Sequence, residues 1–122
     1  MDTKTRRELI RAYKQSRRPM GVYRVRNTAT GRALVGSSPN LPAALNHHRA
    51  ALRFGAHRNA ALQREWNALG PDAFAFEVLD TLTPPDPEPA GWDPADDLRV
   101  LEALWVERLQ PFGEGGYHRP PR

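Results

Sequence analysis

Residues 21–38 read GVYRVRNTATGRALVGSS, and this stretch decides how the chain folds. It holds two short runs rich in β-forming residues, separated by a polar turn and ended by glycine and small hydroxyl residues, which predicts a β-hairpin. Because side chains alternate along a strand, Val22 and Arg24 should point to one face, and Tyr23 and Val25 to the other. The pattern leaves Tyr23 open as either a core residue with a bonded hydroxyl or a catalytic phenol.

Two helices and a third strand are predicted after the hairpin. Asn40 is a suitable N-cap for the first helix, and His48 lies within that helix's apolar stripe. His48 is therefore either a core histidine bonded to backbone or a site residue. The second helix is predicted over residues 59–69 and the third strand over residues 74–79. The second helix should place three residues on one face: Leu62, Trp66 and Leu69.

The last predicted helix, about residues 95 to 109, carries an acid where an apolar residue is expected. At 100° per residue, Glu102 falls among the apolar side chains, whereas Glu107 faces away. That apolar face comprises Leu98, Leu101, Trp105, Val106 and Leu109. Burying an unpaired carboxylate is costly, so Glu102 should have a partner. Periodicity alone allows a structural ion pair with an arginine or a functional site.

The rest of the chain is assigned from capping signals and composition. Residues 1–18 are predicted to form a basic helix, since Thr5 and Glu8 have capping-box spacing. Residues 19–122 form one domain, in which the proline-rich, acidic residues 83–96 should be a surface loop. The glycine-rich tail at residues 113–118 is expected to be flexible.

Charge is distributed unevenly along the 122 residues. Residues 1–64 carry fourteen Lys and Arg against two Asp and Glu, a net charge of +12 with histidine neutral. Residues 65–122 carry four against twelve, a net charge of −8. Such a chain favours one basic surface for a polyanion, although a merely solvated basic surface is equally compatible with the count.

Composition excludes several other classes of protein and of metal site. There is no cysteine, so disulfides and thiolate zinc sites are excluded, and the four histidines do not form a zinc motif. No apolar run is long enough to span a bilayer, and the basic N-terminus does not read as a secretion signal. We therefore expect no membrane partner and a cytoplasmic protein.

Motifs spread over about a hundred residues resemble the GIY-YIG nuclease superfamily in its homing-endonuclease-like form. The two tripeptides correspond to Gly21-Val22-Tyr23 and Leu34-Val35-Gly36, the second followed by Ser37-Ser38. The features typical of the intervening chain are His57-Arg58-Asn59, Leu62-Gln63-x-x-Trp66-Asn67-x-x-Gly70 and Phe74-x-Phe76-Glu77-Val78-Leu79. The closing motifs are Glu102-Ala103-Leu104-Trp105-Val106 and Gly116-Tyr117-His118.

This resemblance implies an α/β fold with a small three-stranded antiparallel sheet flanked by helices, here with the added N-terminal basic helix. It also implies a single divalent ion, Mg²⁺ or Mn²⁺, with Glu102 as its ligand and Tyr23 as the phenol that activates water. His48 completes the catalytic set. The arginine that neutralises developing charge in the family is replaced by Ala44, and a protonated His48, one turn away, is a possible partial substitute.

The resemblance further implies DNA as the partner, contacted by arginines of the basic half. The candidates are Arg6, Arg7, Arg11, Arg17, Arg18, Arg24, Arg26, Arg32, Arg49 and Arg53. Three functions stay open: a metal-dependent DNA endonuclease with an altered site, a DNA-binding module without catalysis, and a protein-interaction domain that uses the acidic proline-rich loop. Leu34 stands where the family has its second tyrosine, and His118 stands where it has an asparagine. These two differences affect the choice between an active endonuclease and a DNA-binding module without catalysis.

Overall fold

A computed structural model of the chain describes residues 18–119. The predicted hairpin is present as β1, Gly21–Asn27, and β2, Ala33–Ser38. The third strand, β3, spans Phe74–Thr81 and pairs with the other side of β1. All pairs are antiparallel, and the strand order is β2-β1-β3. The predicted three-stranded antiparallel sheet is therefore confirmed.

Three helices accompany the sheet: α1 is Leu41–Phe54, α2 is Ala60–Leu69 and α3 is Ala95–Leu109. The side chain of Asn40 accepts from the backbone of Ala43 at 3.2 Å and so caps α1, as predicted. Short 3₁₀ turns occupy Pro71–Ala73 and Gly113–Gly115. No helix among residues 18–119 is both long and apolar enough to cross a membrane. The predicted N-terminal helix, including Arg6, Arg7, Arg11 and Arg17, lies outside the described residues.

The main core lies between the sheet, α1 and α2. It contains Val25, Leu52, Leu62, Trp66, Phe74 and Tyr117, each at most 8% exposed. Leu69, predicted on the buried face of α2, is instead 48% exposed, because it is the last residue of the helix. Gln63 is buried instead, and its amide donates to the carbonyl of Leu52 at 3.0 Å.

The segment predicted as a flexible tail is fixed along β2. Tyr117 is buried, and its backbone N–H donates to the carbonyl of Ala33 at 3.1 Å. The backbone N–H of Val35 donates to Nε2 of His118 at 2.8 Å. These bonds use the outer edge of β2 and bring His118 beside the hairpin, so the expectation of flexibility is wrong for this segment.

Helix α3 lies close to the sheet as well. The indole N–H of Trp105 donates to the carboxylate of Asp80 in β3 at 3.1 Å, and Leu98 is buried. Between β3 and α3, residues 82–94 contain neither helix nor strand. This packing places Glu102, one turn before Trp105, on the side of α3 that approaches the sheet.

Candidate active site

An open groove of about 1060 Å³ lies between the hairpin, α1 and the connection from α1 to α2. Its wall includes Tyr23, Ser37, Ala44, His48, His57 and Arg58. Four of these come from the motifs that carry the family resemblance, and the other two, Ala44 and His48, lie on α1. The groove is therefore where the predicted phenol and imidazole come together.

Tyr23 and His48 are in direct contact. The Tyr23 oxygen lies 2.7 Å from Nε2 of His48, and Nδ1 of His48 lies 2.8 Å from Nε2 of His57. The backbone N–H of Asn59 donates to Nδ1 of His57 at 3.0 Å. Tyr23 is 8% exposed, and its hydroxyl is held by this contact at the groove wall. His48 is not bonded to backbone as the first interpretation required, since both of its ring nitrogens meet side chains, and its role as a site residue stays a prediction.

Burial and neighbouring cations keep both imidazoles neutral. Burial, with His57, His47 and Arg58 nearby, lowers the pKa of His48 to about 4. Burial, with His47 and Arg58, also lowers the pKa of His57. These surroundings oppose the suggestion that a protonated His48 replaces the missing arginine, because burial and the neighbouring cations disfavour the charged imidazole.

The pKa of the Tyr23 phenol is shifted in the opposite direction, upward. Burial is the main cause that raises the pKa of Tyr23, and the carboxylate of Glu102 raises it further, whereas Arg58 opposes both. Glu102 also acts on the imidazole of His118, whose pKa is lowered by burial and raised in part by that carboxylate. The acid of α3 is thus electrostatically coupled to both β1 and the C-terminal segment.

Glu102 is half-buried and, within residues 18–119, forms neither an ion pair nor a hydrogen bond. The structural alternative, an ion pair with an arginine, is therefore not realised in this part of the chain. Glu102 does not line the groove itself, so the three predicted catalytic groups are only partly brought together: Tyr23 and His48 touch, whereas Glu102 acts on Tyr23 through its charge alone.

The donor set around Glu102 is small. Among residues 18–119 no group of three or more histidines and acids could hold a metal. Magnesium, however, commonly binds through one or two carboxylates and keeps several waters. A partly exposed carboxylate that has no ion pair in the described part of the chain and acts on Tyr23 and His118 fits such an ion, and Glu102 would be its protein ligand.

Arg58 is the functional candidate that sequence reasoning missed. It lines the groove with Ala44 and His48, is exposed, and its guanidinium forms no ion pair or hydrogen bond inside the described range. Its charge acts on Tyr23, His48 and His57 alike. Its position within the motif His57-Arg58-Asn59 was the available signal, but only the fold places that loop opposite Ala44.

Several predicted DNA-binding arginines have protein partners. The Nε atoms of Arg24 and Arg26 bond one carboxylate oxygen of Glu77 at 2.8 and 2.7 Å. Arg32 bonds the carboxylate of Glu65 at 3.1 Å and the carbonyl of Gly116 at 3.2 Å. Arg24 and Arg26 therefore link β1 to β3, and Arg32, just before β2, links the hairpin to α2 and to the C-terminal segment. The role of these three arginines in DNA binding stays a prediction.

The remaining predicted arginines of the described range are more available. Arg49 stacks over the ring of Phe76, with its guanidinium carbon 4.5 Å from the ring centre. Arg18 and Arg53 are exposed. Arg18 and Arg53 are therefore accessible to a polyanion, as is Arg58.

Gly36 is needed for the position of Tyr23, its partner across the β1–β2 pair. A Cβ atom at Gly36 would lie 2.5 Å from the Tyr23 oxygen and 2.7 Å from Cζ. We expect Gly36→Ala to push the phenol away from His48 and to lower the free energy of unfolding by about 1–3 kcal/mol, as overpacking does. Urea denaturation and the NMR signals of the His48 ring measure the two effects. Ser37→Ala is the control, and an unchanged His48 environment in Gly36→Ala would contradict this explanation.

Comparisons with known proteins identify the fold. No protein-family model matches the sequence, and no curated protein does. The catalytic domain of the homing endonuclease I-TevI matches with a TM-score of 0.66 and 25% identity, over 84% of this chain and 99% of that one. A glutamate-to-alanine mutant of the catalytic domain of intron endonuclease I-TevI matches with a TM-score of 0.64 and 23% identity, over 82% and 92%. The chain therefore has the GIY-YIG-like α/β fold of the I-TevI catalytic domain.

Proposed function

We propose that this protein is a metal-dependent DNA endonuclease that hydrolyses phosphodiester bonds. The observation that carries the proposal is the contact of Tyr23 with His48 in an open groove, where Tyr23 also feels the charge of Glu102, a carboxylate with no ion pair among residues 18–119. A phenol held at 2.7 Å by a neutral imidazole is positioned to act on a water or phosphate oxygen. The likeness to a homing endonuclease catalytic domain agrees with this chemistry.

In this proposal each residue has a distinct role. Tyr23, after its own proton has left to solvent, accepts a proton from the attacking water, and His48 holds the Tyr23 oxygen in place. Glu102 binds Mg²⁺ or Mn²⁺, which when bound supplies charge stabilisation at the scissile phosphate. Arg58 faces the same groove and neutralises the charge that develops on the phosphate oxygens, the role that Ala44 cannot fill.

DNA is the proposed substrate because the groove lies in the basic half of the chain. Its wall residues all fall between Tyr23 and Asn59, within the half that carries the net charge of +12. Exposed arginines of this half, with Arg58 on the groove wall, give a sequence-independent attraction for phosphates, which should weaken as salt rises. The sequence preference and the form of the DNA are left to experiment.

Cleavage of supercoiled plasmid and of branched DNA tests the proposal. We expect nicking with Mg²⁺ or Mn²⁺, and none when the ions are removed with EDTA. Salt-dependent DNA binding in EDTA should persist, because the arginines do not need the metal. The absence of cleavage with either metal, on any DNA form, would contradict the enzymatic proposal.

A DNA-binding module without catalysis is the second candidate. It is favoured by two positions on the groove wall, where Leu34 and Ala44 replace the tyrosine and arginine that the resemblance implies. The same assays separate it from the first: this candidate predicts DNA binding at low salt with no product under any metal.

A further inference from the structure

Three hydrogen bonds in series connect the backbone of Asn59 to the hydroxyl of Tyr23. The Asn59 N–H meets Nδ1 of His57 at 3.0 Å, Nε2 of His57 meets Nδ1 of His48 at 2.8 Å, and Nε2 of His48 meets the Tyr23 oxygen at 2.7 Å. All three lengths are normal for hydrogen bonds. Because a neutral imidazole carries one donor and one acceptor nitrogen, the direction of one bond determines the direction of the next.

The direction is fixed at the Asn59 end. A backbone N–H can only donate, so Nδ1 of His57 must accept and carries no proton. The backbone N–H of Asn59 cannot easily turn away from His57, because the residue is held in place by its side-chain amide, which caps α2. Its oxygen accepts from the backbone of Leu62 at 3.0 Å, and its nitrogen donates to the carbonyl of Tyr117 at 2.9 Å.

The remaining directions follow from this one. With Nδ1 of His57 unprotonated, the proton of His57 is on Nε2 and is donated to Nδ1 of His48. Nδ1 of His48 is then an acceptor, so the proton of His48 is on Nε2 and points at the Tyr23 oxygen. Adding a second proton to His48 would set two N–H groups against each other, which agrees with its lowered pKa.

We propose that His48 is a fixed hydrogen-bond donor to Tyr23, and that the Asn59 amide and His57 act as positioning groups that impose this direction. The hydroxyl proton of Tyr23 is then directed away from His48, toward the groove and an oxygen of water or phosphate there. The catalytic consequence rests on the proposed function: the Tyr23 proton leaves to solvent water in the groove, and the N–H of His48, which cannot accept that proton, stabilises the phenolate that remains. The direction of the bonds themselves does not depend on any activity.

NMR of the full-length, ¹⁵N-labelled protein tests the direction without metal or DNA. Correlations between ring nitrogens and carbon-bound ring protons distinguish a protonated from an unprotonated nitrogen. Near pH 7 we expect His48 and His57 both to be neutral and protonated on Nε2 alone. A proton on Nδ1 of His48 would overturn the proposal.

Two variants of His57 test whether the direction is transmitted. In His57→Glu the new carboxylate can only accept, so the proton of His48 should appear on Nδ1. In His57→Gln the side-chain amide can still donate, so the proton of His48 should stay on Nε2. An unchanged His48 ring in His57→Glu would also overturn the proposal. If both variants behave as expected and the protein cleaves no DNA, the proposed function fails while the directed chain stands.

Discussion

Glu102→Gln is expected to reduce DNA cleavage by at least about 100- to 1,000-fold, the loss typical of removing a preorganised electrostatic group. The amide keeps the size of the side chain but removes the negative charge that would hold a divalent ion. Since Glu102 forms no ion pair or hydrogen bond within residues 18–119, its replacement should cost little folding free energy. Plasmid nicking over a range of Mg²⁺ and Mn²⁺ concentrations measures the loss.

Glu107→Gln is the matched control for that variant. It removes the same charge from the same helix, but Glu107 is exposed and faces away from the sheet. Cleavage by this control should match the parent protein. DNA binding in EDTA should be unchanged in both variants, which separates loss of catalysis from loss of binding. Full cleavage by Glu102→Gln would refute the assignment of Glu102 as the metal ligand.

The elements of the fold were predictable because their signals are local. The hairpin of residues 21–38, the N-cap at Asn40 and the Glu102 position inside an apolar face each depend on spacing within one segment. Leu69 was misassigned because the helical period places it on the apolar face but does not show that it is the last residue of α2, where that face is no longer covered. Tyr117 was misassigned because a glycine-rich segment reads as flexible until a strand edge is present to receive it.

The site was less predictable because its contacts join distant segments. Arg24 and Arg26 were assigned to DNA, yet both bond Glu77, about fifty positions later, through the β1–β3 pairing. His57 and Arg58 belong to a connection whose position depends on how α1 and α2 pack. Sequence reasoning could name the phenol and the acid as candidates, but the neutral state of the imidazole that contacts the phenol required the buried geometry.

Arg58→Ala is expected to slow cleavage by about 100-fold or more, while DNA binding weakens only modestly. The reason is its place on the groove wall beside Tyr23 and His48, with no ion pair or hydrogen bond in the described range to engage its charge. A cation at that place acts on the transition state, where the phosphate oxygens gain charge, more than on the bound substrate. Single-turnover cleavage rates and binding constants, measured at the same salt concentration, separate the two effects.

Arg64→Ala is the control, since Arg64 is an exposed arginine of α2 that does not line the groove. A stricter test restores the charge from the other wall: the double variant Ala44→Arg with Arg58→Ala should recover part of the lost rate, because both positions face one groove. If Arg58→Ala and Arg64→Ala lower cleavage equally, Arg58 contributes only to the general attraction for DNA. The charge lost with the family's arginine would then have no replacement on this groove wall.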